Sequence, residues 1–203
     1  NPAPFVDEFF VKEGYTVYCP LLEGHGTSIR EMKNAKWNKW TEQAEKAYEN
    51  LSKNYDKVYV MGYSMGGDLS LYLAERYDIN KVIVINAPIE IYSHDLTKIL
   101  NFIYLTTEYN IKSWFSSTDN KLIIKEYKVY DAYPIKSVDE LLKLMNYTTI
   151  NLNKIDDDIL IIQSVDDETV VPRSAEIIYD NVNSENKRLV WVENSGHLNI
   201  PDD

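Results

Sequence analysis

Four short blocks of apolar residues punctuate the chain: Lys57-Val58-Tyr59-Val60-Met61, Lys81-Val82-Ile83-Val84-Ile85-Asn86, Asp158-Ile159-Leu160-Ile161-Ile162-Gln163 and Arg188-Leu189-Val190-Trp191-Val192. Nearly continuous runs of Val and Ile, without alternation, predict strands buried on both faces, as in parallel sheets. Between them the apolar period lengthens to that of a helix. Trp37, Trp40, Ala44, Ala47, Tyr48 and Leu51 share one face of a helix over 37–54, Leu69, Leu73 and Ala74 mark another over 65–77, and 172–181 reads as a third. At the start, Phe5, Val6, Phe9 and Phe10 fall on one helical face over 4–13, with Gly14 as its stop. The run Tyr15-Thr16-Val17-Tyr18-Cys19-Pro20 then reads as a strand, and Leu21-Leu22-Glu23-Gly24-His25-Gly26 as a loop. Alternation of strand and helix predicts an α/β fold with a mostly parallel, doubly wound sheet.

One stretch breaks the rhythm. From Ile89 to Asn151 no core-type strand occurs, but aromatic residues are dense: Tyr92, Phe102, Tyr104, Tyr109, Trp114, Phe115, Tyr127, Tyr130 and Tyr133. Helical spacing returns over 138–145. An insertion of this length inside a compact domain predicts a helical lid over a binding site, with 1–88 and 152–203 forming the core. Several of its aromatic residues are candidates to line a ligand pocket there, or else form the insertion's own core.

Composition narrows the partners. The 203 residues carry a formal net charge of −11, which disfavours nucleic acid and anionic membrane surfaces. A small neutral molecule fits that charge. The single cysteine, Cys19, cannot support a disulfide framework or a cysteine-rich metal site; it reads as a small hydrophobe at the end of a buried strand and points to a reducing, cytoplasmic setting. No apolar run reaches the roughly 20 residues of a membrane span. Three scattered histidines offer no metal cluster, so neither metal nor cofactor is expected.

The chemistry centres on Gly62-Tyr63-Ser64-Met65-Gly66-Gly67, set between a strand and a helix. A strand that turns abruptly into a helix holds its corner residue in a strained conformation, and small residues on either side let the two segments pass. Ser64 is then presented at the C-terminal edge of the sheet, and the Met65 N–H points to where an oxyanion would form. A phosphate-binding reading fails, because neither a Walker sequence nor Gly-x-Gly-x-x-Gly is present. A serine nucleophile needs a base, and the base an orienting acid, in the chain order Ser, acid, His on this fold. The loop after the third apolar block carries Asp166-Asp167-Glu168, and the loop after the fourth carries Ser195-Gly196-His197. His197 is the candidate base. Adjacent aspartates point apart, so only one of Asp166 and Asp167 can serve it. His25, between two glycines, reads as a loop-shaping or pocket-rim residue, and His94 as a surface one.

Taken together, these segments resemble the bacterial and archaeal carboxylesterase and monoacylglycerol lipase family of the α/β-hydrolase superfamily. The similarity runs from Phe5 to His197. It includes Glu13-Gly14-Tyr15-Thr16, Pro20 with Glu23-Gly24-His25-Gly26, the Trp37/Trp40 helix, the Gly62–Gly67 turn, Asn86-Ala87-Pro88, the loop with Ala175-Glu176-Ile177-Ile178-Tyr179 after it, and Ser195-Gly196-His197. Matched residue by residue, with Glu168 after the acid and Pro172 five residues beyond it, the resemblance implies Asp167 as the acid. It further implies a serine hydrolase of short- to medium-chain carboxylic esters or monoacylglycerols. In that family a strand and a His-Gly-aromatic loop ahead of the first helix give a second oxyanion N–H, and a helix closes the fold after the histidine. The polypeptide is therefore expected to continue upstream of Asn1 and beyond Asp203. Alternatives with the same three residues are a thioesterase, a cinnamoyl-type arylesterase, a peptidase, or a fold relative that binds a ligand without catalysis.

Overall fold

The computed structural model describes residues 4–92 and 134–197. After helix α1 (Pro4–Lys12), short α2 (Ile29–Met32) and α3 (Trp37–Ser52), the chain alternates β1 (Tyr59–Tyr63), α4 (Met65–Ala74) and β2 (Lys81–Ile85). It continues through α5 (Ile135–Asn151), a 3-10 turn (Leu152–Lys154), β3 (Ile159–Ser164), α6 (Arg173–Asn181) and β4 (Lys187–Val192). The four strands form one parallel sheet in the order β1-β2-β3-β4. Each crossover steps to the next neighbour in the same direction. Right-handed connections then lay their helices on one face of the sheet, and Leu71 of α4, Leu144 of α5 and Ile178 of α6 join one buried cluster with Val82, Val84, Ile159 and Ile161.

Among the described residues the two faces of the sheet are covered unequally. Val82 and Val84 are fully buried beneath the helices, while Ile83 and Ile85 between them are only half-buried. On the same open face Tyr59 and Met61 of β1 stand exposed. Thus β-branched content marked these segments as strands correctly. The first predicted strand differs. Residues 15–20 lie in coil, because a strand requires a ladder and no described residue pairs with them. Side chains hold this segment to the domain instead: the Tyr55 hydroxyl donates to Thr16 Oγ1 at 3.0 Å, and the Tyr15 ring meets Tyr59 edge-on at 6.1 Å. Cys19 is accordingly exposed and not buried.

Of the segment expected as a lid, 93–133, with His94 and most of its aromatic residues, falls outside the described residues. Its end is α5, which packs on α3 and α4. Glu140 of α5 accepts from Lys36 Nζ at 3.1 Å and from the Trp37 N–H at 3.2 Å, joining α5 to the start of α3. Among the described residues no helix is long and apolar enough to cross a membrane.

One packing feature has a measurable cost. Asp68 of α4 is wholly buried; its Oδ1 accepts from Thr148 of α5 at 3.4 Å, and Oδ2 has no partner among the described residues. Burial holds this carboxyl well above the usual range, the Thr148 contact opposing weakly. A raised carboxyl pKa stabilises the fold only below the unfolded value near 4, and that stability is lost as pH climbs towards the folded value. Asp68→Asn is therefore expected to gain stability over the parent as pH rises from 4 to 8. The gap should grow by about 1.4 kcal/mol per pH unit, or roughly 3–5 °C in Tm, while the unfolded carboxyl is ionised and the folded one still protonated. Thermal melts across that range check it; a gap independent of pH would show that Asp68 is not buried as drawn.

Candidate active site

The C-terminal ends of the strands carry the site, and the backbone there is unusual. Three described residues other than glycine have positive φ: Ser64 (51°) directly after β1, Asn86 (48°) directly after β2, and Asn194 (55°) two residues after β4. Asparagine enters this region readily, but a serine at φ 51°, ψ −125° is strained and must be held there. Its N–H donates to Ile85 O at 2.8 Å, and its own C=O accepts from the Gly67 N–H at 2.7 Å as α4 begins. The close approach of β1 to α4 explains the glycines unequally. A Cβ on Gly62 would lie 1.8 Å from Gly66 O, and one on Gly67 would lie 2.6 Å from Ala87 Cβ, so neither position has room for a side chain. At Gly66 a Cβ would meet nothing within 4 Å among the described residues. The tight passage therefore lies at Gly62 and Gly67, not symmetrically around the serine as the spacing suggests.

Ser64 faces His197. Its Oγ lies 3.0 Å from His197 Nε2, and His197 Nδ1 lies 2.7 Å from Asp167 Oδ2. Asp167 is held in turn on its other oxygen, where Oδ1 accepts the N–H groups of Thr169 at 2.9 Å and Val170 at 2.7 Å. Gln163 Nε2 approaches Oδ2 at 3.4 Å. A carboxylate can only accept, so this pairing keeps the ring proton on Nδ1 and leaves Nε2 as acceptor for the Ser64 hydroxyl. Asp167 and His197 are both buried, whereas Asp166 is exposed and turned away. The structure thus brings Ser64, Asp167 and His197 together and leaves Asp166 out. Met65 is the first residue of α4, so its N–H has no acceptor within the helix.

His25 is not part of this cluster. Its Nδ1 turns back to Glu23 O at 3.3 Å, its ring packs edge-on against Trp40, and burial holds its pKa below the ordinary value. The Trp40 indole N–H also donates to Glu23 O at 2.9 Å, so His25 and Trp40 both tie down this glycine-flanked loop.

Sequence reasoning gave no role to a buried polar network behind the histidine. Asn86 Oδ1 accepts the Ser164 N–H at 2.8 Å, and Asn86 Nδ2 donates to Ser164 Oγ at 3.0 Å and to His197 O at 3.3 Å. Ser164 Oγ lies 3.1 Å from Ser195 Oγ. A signal existed: Asn86, Ser164 and Ser195 stand at or just past the ends of β2, β3 and β4, where apolar runs give way to small polar residues. Beside the site, a cavity of about 470 Å³ is lined by Tyr92, Val165 and residues 166–168. A larger, acid-rich cavity of about 710 Å³ opens at the opposite ends of β2 and β3, and among the described residues no three His, Cys, Asp or Glu are grouped to hold a metal ion.

The family model for serine aminopeptidase, S33, matches residues 4–202. The chain belongs to this family of hydrolases. It is similar to a thermostable monoacylglycerol lipase of Bacillus sp. (strain H-257), 32% identical over 94% of this chain and 75% of that protein. It is also similar to a carboxylesterase of Bacillus subtilis (strain 168), 29% identical over 92% of this chain and 75% of that protein. Among solved structures, one from work on LipS and LipT, two metagenome-derived lipolytic enzymes, superposes with a TM-score of 0.85 at 30% identity, covering 97% of this chain and 80% of that one. This S33-family hydrolase is an enzyme of the α/β-hydrolase fold, with a parallel sheet and flanking helices.

Proposed function

We propose that this hydrolase cleaves short- to medium-chain carboxylic esters or monoacylglycerols through an acyl-enzyme on Ser64. The observation that carries the reading is His197 standing within hydrogen-bond reach of Ser64 on one ring nitrogen and Asp167 on the other. In the first half-reaction His197 Nε2 takes the Ser64 proton as Oγ bonds to the ester carbonyl carbon. The carbonyl oxygen becomes an oxyanion, towards which the Met65 N–H is directed. Collapse expels the alcohol, which leaves with the proton from His197. Water then gives a proton to Nε2 as its oxygen bonds to the acyl carbon; collapse breaks the bond to Ser64 Oγ, which takes the proton back from His197, and the acid is released. Asp167 keeps the imidazole in the tautomer that accepts from serine and stabilises it while it is protonated.

The names borne by the relatives support ester substrates over peptides, and the family's description as an aminopeptidase supports the second reading, peptide hydrolysis. A fluorophosphonate probe together with two substrate sets separates them. We expect labelling at Ser64, turnover of p-nitrophenyl acyl esters, and none of amino-acid p-nitroanilides. Anilide turnover exceeding ester turnover would overturn the ester reading.

We assign 89–151 to a mostly helical lid over Ser64 whose end is α5, with several of its aromatic residues or leucines expected to face the acyl chain. Shortening 93–133 is expected to move the acyl-chain optimum while leaving acetate-ester turnover within a few-fold; an unchanged optimum in a chain-length series would remove the lid from the specificity. A cytoplasmic setting completes the reading, supported by the single cysteine among these 203 residues.

A further inference from the structure

His197 is gripped at its main chain as well as at its ring. Its N–H donates to Glu168 Oε2 at 2.9 Å, and its C=O accepts from Asn86 Nδ2 at 3.3 Å. Among the described residues no backbone-to-backbone hydrogen bond reaches Gly196 or His197. Side chains from two other loops therefore take the place of a ladder in fixing this loop. Glu168 is the more telling of the two. It adjoins Asp167, so the single loop after β3 supplies both the partner of the histidine ring and the partner of the histidine main chain. Gly196 fits the same arrangement. A Cβ there would lie 2.8 Å from Glu168 Oε2, 3.6 Å from its Cδ and 3.7 Å from Oε1, so the carboxylate rests on the bare Cα. Gly196 is not among the residues of positive φ, and space for Glu168, not backbone freedom, is what glycine provides here.

We infer that Glu168 is a positioning residue of the hydrolytic reaction: by accepting the His197 main-chain N–H across Gly196, its carboxylate sets where the imidazole stands between Asp167 and Ser64. This rests on the proposed reading of Ser64, His197 and Asp167 as the hydrolytic centre. The contact depends on reach. A misplacement of about 1 Å at a proton-transferring group can cost on the order of 100-fold in rate. Charge is secondary, because a neutral amide oxygen at the same place accepts the same N–H.

The test compares four single variants and one double variant on p-nitrophenyl butyrate, with the rate of fluorophosphonate labelling at Ser64 as a second readout. Glu168→Ala is expected to lower kcat about 10- to 100-fold with KM within about threefold. Glu168→Gln keeps the reach and is expected to stay within about threefold of the parent, whereas Glu168→Asp keeps the charge, is one methylene short, and should behave as Glu168→Ala. Gly196→Ala displaces the carboxylate and should cost as much as Glu168→Ala, with no further loss when the two are combined. If Glu168→Ala fails to fold, as judged by circular dichroism, the comparison of Gln with Asp still decides. An active Asp variant beside an impaired Gln variant would overturn the proposal, as would parental kcat in the Ala or Asp variant. A parent protein that neither turns over the ester nor reacts with the probe would instead break the ester-hydrolase reading itself.

Discussion

Ser64→Ala and His197→Ala are each expected to lower kcat on a p-nitrophenyl ester by about 10⁶-fold, and the double variant no further, because residues that act as one unit are not additive. The geometry explains why. Ser64 Oγ and His197 Nε2 lie 3.0 Å apart and share one proton, so removing either removes the same event. Without the serine there is nothing to acylate. Without the histidine the hydroxyl keeps its proton at neutral pH, and the strained turn presents an inert alcohol. What survives should be the roughly 10³- to 10⁴-fold advantage over water that binding and oxyanion donors confer without the triad. Rates corrected for folded protein by circular dichroism provide the check. A double variant another thousand-fold below either single one would mean that Ser64 and His197 act in separate steps, and a loss below 100-fold for His197→Ala would remove it as the base.

Much of this site was legible because its logic is local. A glycine-rich turn between an apolar strand and an amphipathic helix identifies Ser64 without any knowledge of the rest of the chain, and β2, β3 and β4 fall within a residue or two of the apolar blocks that announce them. What the sequence hides is non-local. The segment 15–20 has the composition of a strand, yet strand formation depends on a neighbour, and composition does not say whether one is present. The unequal burial of the two faces of β2 among the described residues is likewise a property of what packs against it. Gly66 reads as sterically required from its place in the pattern, whereas the close contacts fall on Gly62 and Gly67, because it is the Gly66 carbonyl that crowds Gly62. The choice between Asp166 and Asp167 is of the same kind. The residues alone show that the two point apart; which one points inward depends on the N–H groups of Thr169 and Val170, which seat one carboxylate in the turn.

The placement of Asn86, Ser164 and Glu168 extends that point. Each is polar, each lies beside a strand end, and each holds a neighbouring loop by a side chain where no backbone ladder does. The parallel sheet brings the ends of β1 to β4 to one edge, and the loops after β2 and β3 share a main-chain bond, Val171 N–H to Glu90 O at 3.0 Å, but no such bond reaches Gly196 or His197 among the described residues. Polar side chains near the strand ends supply further bonds, at distances of 2.8 to 3.3 Å for the contacts of Asn86 and Glu168. A site assembled this way can keep its geometry while the loops differ in length.

Asp167→Asn is expected to lower kcat about 10⁴-fold, while Asp166→Asn stays within about threefold of the parent. The size of the loss follows from how Asp167 is held. Its Oδ1 receives two main-chain N–H groups, from Thr169 at 2.9 Å and Val170 at 2.7 Å, and an asparagine at 167 would have to keep its carbonyl oxygen there to satisfy them. Its NH₂ would then face His197 Nδ1, where Asp167 Oδ2 now stands at 2.7 Å. Two donors cannot share that contact. The ring proton would move to Nε2, and the histidine would present a donor to Ser64 where an acceptor is needed, the wrong tautomer for a base. The charge that stabilises the imidazolium would be lost as well. Asp166 is exposed and has neither duty. The two variants differ from the parent by one atom each and from one another by one position, so kcat measured on the same ester at the same pH isolates the role. Equal losses, or a larger one at 166, would show that the loop presents the other carboxylate to His197 in solution.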